Sequence, residues 1–296
     1  MKRSLLYFIT FCTCIVSFGK QTHEENLISL SKSSGLSDSV SNYIEVIKGL
    51  TSSNPDSSLI YADRLEDFVS LRNFKIESGE KSRLYFFTGL ANYNKNNYSK
   101  TRYLIEKSLN LGHIDTLEGH RYFYLALSHK KAGNYSQSAE LFMKSTRYFE
   151  DSKNYRGKIG VLINLSNVFA KTKQYPNALK YLNEALNLAE KHNTPNINRN
   201  IYNGMGNVFM EMADYNMALD QFNAAYNAAK KQNNLKGQFY TLINISVVKR
   251  KIGDYHESLG HLQEALLMLD SLNNIEFKGN IFYELKRFKK AINMFE

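Results

Sequence analysis

A pattern of small, aromatic and bulky positions recurs along the chain. A small residue is followed nine positions later by an aromatic residue, and then by small, bulky and small residues at further steps of three, four and three. In the third copy these residues are Ser166, Tyr175, Ala178, Leu182 and Ala185. Steps of three and four place side chains on one face of a helix. The pattern therefore predicts a buried stripe on a second helix, crossed closely by a first helix at the small residue.

Copies of this pattern follow one another over most of the chain. Their aromatic positions are Tyr98, Tyr135, Tyr175, Tyr215, Tyr255 and Phe288. The steps between them are 37, 40, 40, 40 and 33 residues. Self-similarity at such a period is typical of arrays in which stacked helix pairs bury each other's apolar faces. The sixth copy is incomplete at Glu296, so we expect a longer polypeptide, or self-association through an uncapped end.

These residues resemble the tetratricopeptide repeat over residues 81–296. The resemblance implies an all-α fold, a right-handed α-solenoid of antiparallel helix pairs whose first helices line a concave face. The units have about 40 residues rather than 34, and they lack the early tryptophan and the closing proline of the family. These departures imply longer second helices, such as residues 177–191, and a looser loop.

The segment before the array is predicted to be an N-terminal helical cap. Within residues 20–80, the positions Ser58, Ala62 and Leu65 repeat the spacing of the buried stripe. Arrays need caps because a terminal repeat otherwise exposes its stacking face. Residues 20–80 are therefore interpreted as one degenerate unit.

Turn residues mark the predicted helix ends in the second and fifth copies. Gly133 and Gly253 stand where first helices should end, because glycine readily adopts the left-handed backbone of a helix C-terminus. Asn134 and Asp254 stand where second helices should begin, as residues that cap helix N-termini. The local signals therefore agree with the repeat.

Counting from the small residue of each first helix gives the positions expected on the concave face. In the third to fifth units the candidate groove residues are Asn164, Asn167, Lys171, Asn200, Asn203, Asn207, Tyr240, Asn244 and Arg250. The same count places Ala170 and Gly204 there. An amide both donates and accepts hydrogen bonds, so the recurring asparagines predict a groove that binds the backbone of an extended peptide, as some tetratricopeptide proteins do. Alternatively, the chain is simply rich in asparagine, and Asn164 and Asn207 help neighbouring helices pack.

The N-terminal residues predict export. Lys2 and Arg3 precede an uncharged apolar run over residues 5–16, and Ser17 and Gly19 occupy the positions that a signal peptidase inspects. We expect residues 1–19 to be a signal peptide cleaved after Gly19, giving a periplasmic or envelope protein whose membrane contact is limited to that signal. An uncleaved anchor is the alternative, although the run is shorter than the roughly 20 residues of a membrane span.

The sequence gives little indication of a catalytic, metal-binding or nucleic-acid-binding site. The only cysteines, Cys12 and Cys14, lie in the predicted signal, so the mature chain has no thiol for a disulfide or a metal. His113, His120 and His129 are spaced by seven and nine residues, which does not suit a metal site. The net charge of +10 comes from lysines scattered among glutamates, which favours a solvated surface over a nucleic-acid interface. No cofactor and no catalytic constellation are predicted.

Three functional hypotheses follow from these observations. The leading one is a non-catalytic scaffold, exported to the cell envelope of a bacterium, that binds a protein or peptide partner in its concave groove. The alternative is the sensory region of a membrane-bound signalling or transcriptional regulator whose C-terminal part lies beyond Glu296. An enzyme built on a helical-repeat frame is the least supported possibility, because no set of residues indicates a reaction.

Overall fold

The computed structural model describes residues 36–112 and 116–272, with the side chains of residues 269–272 excepted. Within these ranges the regular structure is helical, with no strand. The α-helices are α1 Leu36–Leu50, α2 Pro55–Leu71, α3 Ser78–Asn94, α4 Tyr98–Asn110, α5 Glu118–Lys131, α6 Tyr135–Asp151, α7 Tyr155–Lys171, α8 Tyr175–Lys191, α9 Asn198–Glu211, α10 Tyr215–Lys231, α11 Leu235–Lys251 and α12 Tyr255–Leu272. The predicted signal peptide, the start of the N-terminal cap, His113 and the sixth copy with Phe288 lie outside the described residues.

The chain divides into two compact units, residues 1–133 and 134–296. In the first unit, α1 packs on α2, α3 packs on α4, and α5 packs on α4. In the second unit, α6 packs on α7, and the antiparallel pairs are α7 with α8, α9 with α10, and α11 with α12. Each first helix of this unit also contacts the first helix of the next pair, so α7, α9 and α11 lie side by side.

The repeated stripe is the core, as the spacing predicts. Ala178, Leu182 and Ala185 of α8 are completely buried. They pack in one cluster with Ile159 of α7 and Ile201 of α9. One stripe therefore joins the two helices of a unit to the next unit, which is how stacked helix pairs remove their apolar faces from water.

The small residue of each unit lies at a close helix crossing. At Gly206 of α9, an added Cβ would lie 2.6 Å from the Phe222 ring of α10. At Gly89 of α3, it would lie 3.1 Å from Ile105 of α4. Larger side chains at these positions would push the paired helices apart.

Tight turns connect the helices of the second unit. Helices α6, α7, α8, α10 and α11 each have 17 residues, and three residues connect each to the next helical segment. Both helices of a unit are therefore long, and the looser loop implied by the family comparison is wrong. A period of 40 residues results from two helices of 17 residues and two short turns, with a 3₁₀ turn, Pro195–Ile197, before α9.

The predicted turn residues differ in how they act. Gly133 and Gly253 follow helix ends with φ of 81° and 89°, in the left-handed region that glycine favours. The carboxylate of Asp254 accepts a hydrogen bond from the Glu257 amide at 3.2 Å, as an N-cap should. Asn134 stands at the N-cap of α6, as its residue type predicts, but its side chain makes no capping hydrogen bond.

The N-terminal segment contains a helix pair. Helices α1 and α2 cover residues 36–71, and Ser58, Ala62 and Leu65 of α2 are buried, as their spacing predicts. The hydroxyl of Ser58 donates to the Ile47 carbonyl at 2.9 Å, which connects the two helices. Asn54 caps α2 by accepting from the Ser57 amide.

Candidate functional site

The nine candidate groove residues lie on the first helices α7, α9 and α11 of the second unit, and each retains some exposure to solvent. Asn164, Asn167 and Lys171 belong to α7, Asn200, Asn203 and Asn207 to α9, and Tyr240, Asn244 and Arg250 to α11. Because these three helices are neighbours, their polar residues share one wall of the unit. The contacts of the individual side chains determine which of them are available to a ligand.

Two of the candidate asparagines contact each other. The amide nitrogen of Asn244 donates to the amide oxygen of Asn203 at 3.3 Å, between α11 and α9. The amide nitrogen of Asn203 in turn donates to the Thr241 hydroxyl at 3.4 Å, and that hydroxyl donates to the Gly237 carbonyl at 2.8 Å. Since the Thr241 proton is already used, the nitrogen of Asn203 must face that hydroxyl. This network positions α11 against α9.

Two further candidates, Asn164 and Lys171, interact with other groups of the protein. The Asn164 amide nitrogen donates to the Gly160 carbonyl, one turn earlier in α7, at 2.9 Å. The Lys171 ammonium forms an ion pair with Glu211 of α9 at 2.8 Å, and this hydrogen bond raises the pKa of Lys171. The Tyr175 hydroxyl donates to the backbone carbonyl of Glu211 at 3.2 Å. The ion pair connects the C-terminal ends of α7 and α9, and the Tyr175 hydroxyl connects the start of α8 to the same end of α9.

Asn167 and Asn207 are the amides that remain open. Both stand one position after the small crossing residue, on the consecutive helices α7 and α9, where Asn167 is half-buried and Asn207 is exposed. Asn200 is exposed one turn and a half before the crossing in α9. Within the described part of the chain, none of the three side chains makes a hydrogen bond. Their donors and acceptors are therefore available to a bound chain.

Helix α11, the first helix of the pair α11 and α12, adds an aromatic and a cationic group to the wall. Tyr240 of α11 is half-buried and meets the Phe239 ring edge-on at 5.4 Å between centroids. Arg250 is half-buried in the last turn of α11. The neighbouring Lys249 forms ion pairs with Asp254 and Glu257. This end of the wall therefore offers an apolar surface and a guanidinium beside the amides.

Two positions counted as wall residues face inward instead. An added Cβ at Gly204 would lie 2.8 Å from a methyl carbon of Leu182, so this position packs against α8 of the preceding pair. Ala170 is 8% exposed and belongs to the core cluster that includes Leu182. Counting from the crossing residue therefore gives the wrong face at Ala170 and Gly204. Their small side chains allow the neighbouring helices to approach closely and cover both positions.

The equivalent wall of the first unit is aromatic, which the sequence analysis missed. Tyr93 of α3 and Tyr124 of α5 meet edge-on at 5.4 Å between ring centroids, and Tyr124 also lies 6.3 Å from Phe86. Burial raises the pKa of Tyr93 to about 12 and also raises that of Tyr124, whereas burial lowers the pKa of Lys130 to about 8. Applying the same count to the first two copies would have found these residues. An aromatic wall suits apolar side chains rather than peptide amides.

Neither a metal cluster nor a membrane-spanning helix occurs among the described residues. Residues 36–112 and 116–272 hold no cluster of three or more histidine, cysteine or acidic side chains that could bind a metal ion. None of the helices described there combines the length and the apolar character needed to cross a bilayer.

Residues 159–192, which cover most of α7 and all of α8, match the family model for the tetratricopeptide repeat. The chain has a tetratricopeptide-like fold. The sequence-based prediction of an all-α fold of antiparallel helix pairs is therefore confirmed. No curated protein sequence matches the chain significantly.

Solved structures with this tetratricopeptide-like fold cover almost the whole chain. The apo form of the quorum sensor NprR from B. thuringiensis superimposes with a TM-score of 0.72 at 15% identity, over 94% of this chain and 79% of that one. The apo form of RapI gives a TM-score of 0.67 at 12% identity, over 93% and 79%. NprR in complex with its cognate peptide NprX gives 0.67 at 14% identity, over 93% and 82%.

Proposed function

We propose that the chain is a non-catalytic scaffold that binds an extended peptide segment along the wall formed by α7, α9 and α11. The observation that carries this proposal is the pair of open amides, Asn167 and Asn207, at equivalent positions of consecutive helices. A peptide backbone presents donors and acceptors at regular intervals, so equivalent amides on stacked helices suit it. The same observation argues against the purely structural interpretation of Asn207.

The Asn203–Asn244 pair supports the proposal indirectly. Its hydrogen bonds position α11 against α9, so Asn207 is displayed on a wall whose helices are already held together. Preorganisation of this kind reduces the ordering cost of binding. Asn203 and Asn244 therefore act as positioning residues in this proposal, and Lys171 plays the same role through its ion pair with Glu211.

The structural comparisons are consistent with a peptide ligand. NprR has been solved in complex with its cognate peptide NprX, and that structure resembles this chain over 93% of its length. At 14% identity the likeness concerns the fold, so the choice of a peptide here depends on the open amides. We also propose that the scaffold is exported to the cell envelope, which rests on the predicted signal over residues 1–19.

A sensory role is the second candidate. It is favoured by the likeness to the quorum sensor NprR, whose apo form superimposes with a TM-score of 0.72. In this version the same wall would bind a signalling peptide. The remainder of a longer regulator would then respond to the bound peptide. Hydrogen exchange distinguishes the two, because a sensor should show changed protection far from the wall when peptide binds, whereas a scaffold should show protection at the wall alone.

Peptides selected from a random phage-displayed library on the full chain provide the test. Asn167→Ala combined with Asn207→Ala should weaken binding of the selected peptide about ten- to hundredfold, because each lost hydrogen bond contributes about 0.5–1.5 kcal/mol. Titration calorimetry measures this change. Neither amide makes a hydrogen bond within the described structure, and alanine favours a helix more than asparagine does, so thermal stability should not decrease.

The matched control moves the same substitutions to the second helices. Asn183 of α8 and Asn223 of α10 are exposed on the helices that pair with α7 and α9. Asn183→Ala combined with Asn223→Ala should change the affinity less than about twofold. Equal losses in the two double variants, or no loss in either, would contradict a binding wall on the first helices.

A further inference from the structure

A cleft lies in the first unit, whereas the wall described above belongs to the second unit. It has a volume of about 580 Å³ and opens between the end of α2, the connection that follows it, and the start of α3. Small-molecule sites in proteins typically have about 300–1,000 Å³. The cleft is therefore large enough for a small ligand, and nothing in the proposed peptide wall uses it.

The walls of this cleft are mainly apolar. Val69, Phe74, Ile76 and Leu111 line it and are each only partly buried, while Leu84 forms part of its floor and is 3% exposed. Partly exposed aliphatic and aromatic side chains that converge on one cleft gain free energy when an apolar group covers them. The cleft therefore favours a ligand with an apolar body.

Cationic groups surround the same cleft. Lys75 and Lys81 line it, and the ring of Tyr85 on its wall has the Lys81 ammonium at 5.9 Å and the Lys107 ammonium at 5.5 Å from its centroid. None of these three lysines has a carboxylate within 4 Å among the described residues. Glu66 is the acidic group of the lining. The lining itself carries two ammonium groups and one carboxylate, a net charge of +1, which favours an anion.

We propose that this cleft binds an unbranched aliphatic carboxylate, with its chain along Val69, Phe74 and Ile76 and its carboxylate between Lys75 and Lys81. The lysines attract the carboxylate, and the apolar lining shields the chain from water. This site is independent of the peptide wall, which lies in the other unit. Failure of one proposal therefore leaves the other unaffected.

The polar groups of the lining favour an aliphatic chain over a peptide. A peptide backbone needs partners for its N–H and C=O groups, because burying them unpaired is costly. The uncharged polar side chains of the lining are Ser78 and Tyr85, and the Ser78 hydroxyl already donates to the Leu111 carbonyl at 2.6 Å. The lining therefore satisfies a single terminal anion better than a series of amides.

Titration calorimetry of the full chain with decanoate tests the proposal. Decanoate should bind with one-to-one stoichiometry below its micelle concentration, and decan-1-ol, which has the same chain without the charge, should bind at least about tenfold more weakly. Amide shifts in NMR spectra should appear at Ile76 and Ser78. N-acetyl-trileucine with a free carboxyl terminus serves as the peptide probe and should bind more weakly than decanoate.

Variants locate the two parts of the site. Lys75→Gln combined with Lys81→Gln should weaken decanoate about tenfold and leave decan-1-ol unchanged. Lys180→Gln combined with Lys191→Gln, at two exposed lysines of α8, should weaken neither. Ile76→Thr should weaken both ligands.

Three results would overturn the proposal. They are the absence of saturable decanoate binding, equal affinity for decanoate and decan-1-ol, and tighter binding of the tripeptide than of decanoate. Because Lys75 and Lys81 are exposed, the variants should fold normally. A loss of binding without a loss of thermal stability then reports on the cleft itself.

Discussion

Non-glycine residues occupy the left-handed backbone region in the middle of the three-residue turns of the second unit. Their φ values lie between 48° and 61°, at Lys153, Lys173, Asn193, Ala213 and Asn233. For an L-residue this conformation costs roughly 1–2 kcal/mol, because Cβ approaches the backbone. Glycine occupies the same place only in the last of these turns, at Gly253. The turns therefore contain strain that substitution can release.

Ala213→Gly should stabilise the protein by about 0.5–1 kcal/mol. The released strain exceeds the extra entropy that glycine gives the unfolded chain. The control is Ala224→Gly in α10, which should destabilise by about 1 kcal/mol because that position is helical. Denaturant unfolding monitored by circular dichroism measures both. An equal loss of stability in the two variants would contradict the description of the turn.

His129 is a buried imidazole in α5. It is 6% exposed, and neither ring nitrogen has a hydrogen-bond partner. Burial lowers its pKa from the ordinary 6.5, the nearby Arg102 lowers it further, and Glu106 opposes the change. Burial also lowers the pKa of His120. In the unfolded chain both histidines regain their ordinary affinity for a proton.

Stability should therefore fall as the pH drops below about 6.5, because the unfolded state then binds protons that the folded state excludes. His129→Phe should reduce this dependence, and Phe169 and Phe209 stand at the equivalent positions of the next two units. Thermal melts at pH 7.5 and pH 5 measure the difference. If the substitution leaves the change in melting temperature between the two pH values as large as in the wild type, the account of His129 is wrong.

At the scale of elements, a buried polar cluster connects three helices of the first unit. The Arg121 guanidinium of α5 is completely buried and donates to the Ser82 hydroxyl of α3 at 2.9 Å. It also donates to the Ser108 carbonyl of α4 at 2.8 Å and to the Gly112 carbonyl at 3.1 Å, and it forms an ion pair with Glu118. The cluster therefore fixes α5 against both helices of the preceding pair.

Arg121→Met should destabilise the protein by about 3–5 kcal/mol, because the buried Glu118 carboxylate loses its compensating charge. Adding Glu118→Met should restore at least half of the loss, since an apolar pair of similar volume needs no charge compensation. The corresponding positions of α7 and α9 hold Val161 and Ile201, so an apolar residue fits this place in the repeat. A double variant less stable than Arg121→Met would contradict this interpretation. Denaturant unfolding of the wild type, of Arg121→Met and of the double variant measures these differences in stability.

The sequence predicts the helices and their buried faces well where these depend only on the spacing of residues along one helix. Leu182 and its neighbours in the stripe could be placed because their burial follows from spacing along a single helix. Arg121 could not, since a charged residue in a buried position depends on partners from two other helices. The Asn203–Asn244 hydrogen bond likewise depends on how α9 and α11 lie side by side. Residue spacing gives the face of a helix but not the pairing between helices.

At the scale of the whole molecule, the two compact units present chemically different walls. The first helices of the second unit carry open amides at Asn167 and Asn207, whereas those of the first unit carry the partly exposed aromatic residues Tyr93 and Tyr124. Amides suit a peptide backbone and aromatic rings suit apolar side chains. One repeat pattern therefore supports two kinds of surface, and the proposed peptide wall occupies the second unit.

Site-specific photo-crosslinking tests the location of that wall most directly. A photoreactive phenylalanine analogue is placed at position 200 or 240, on the first helices and outside the pair of open amides, or at position 183 or 223, on the second helices. The full chain is then irradiated with the library-selected peptide. A binding wall on the first helices predicts efficient crosslinking from 200 and 240 and background crosslinking from 183 and 223. Equal crosslinking from all four positions, or crosslinking from 183 and 223 alone, would contradict it.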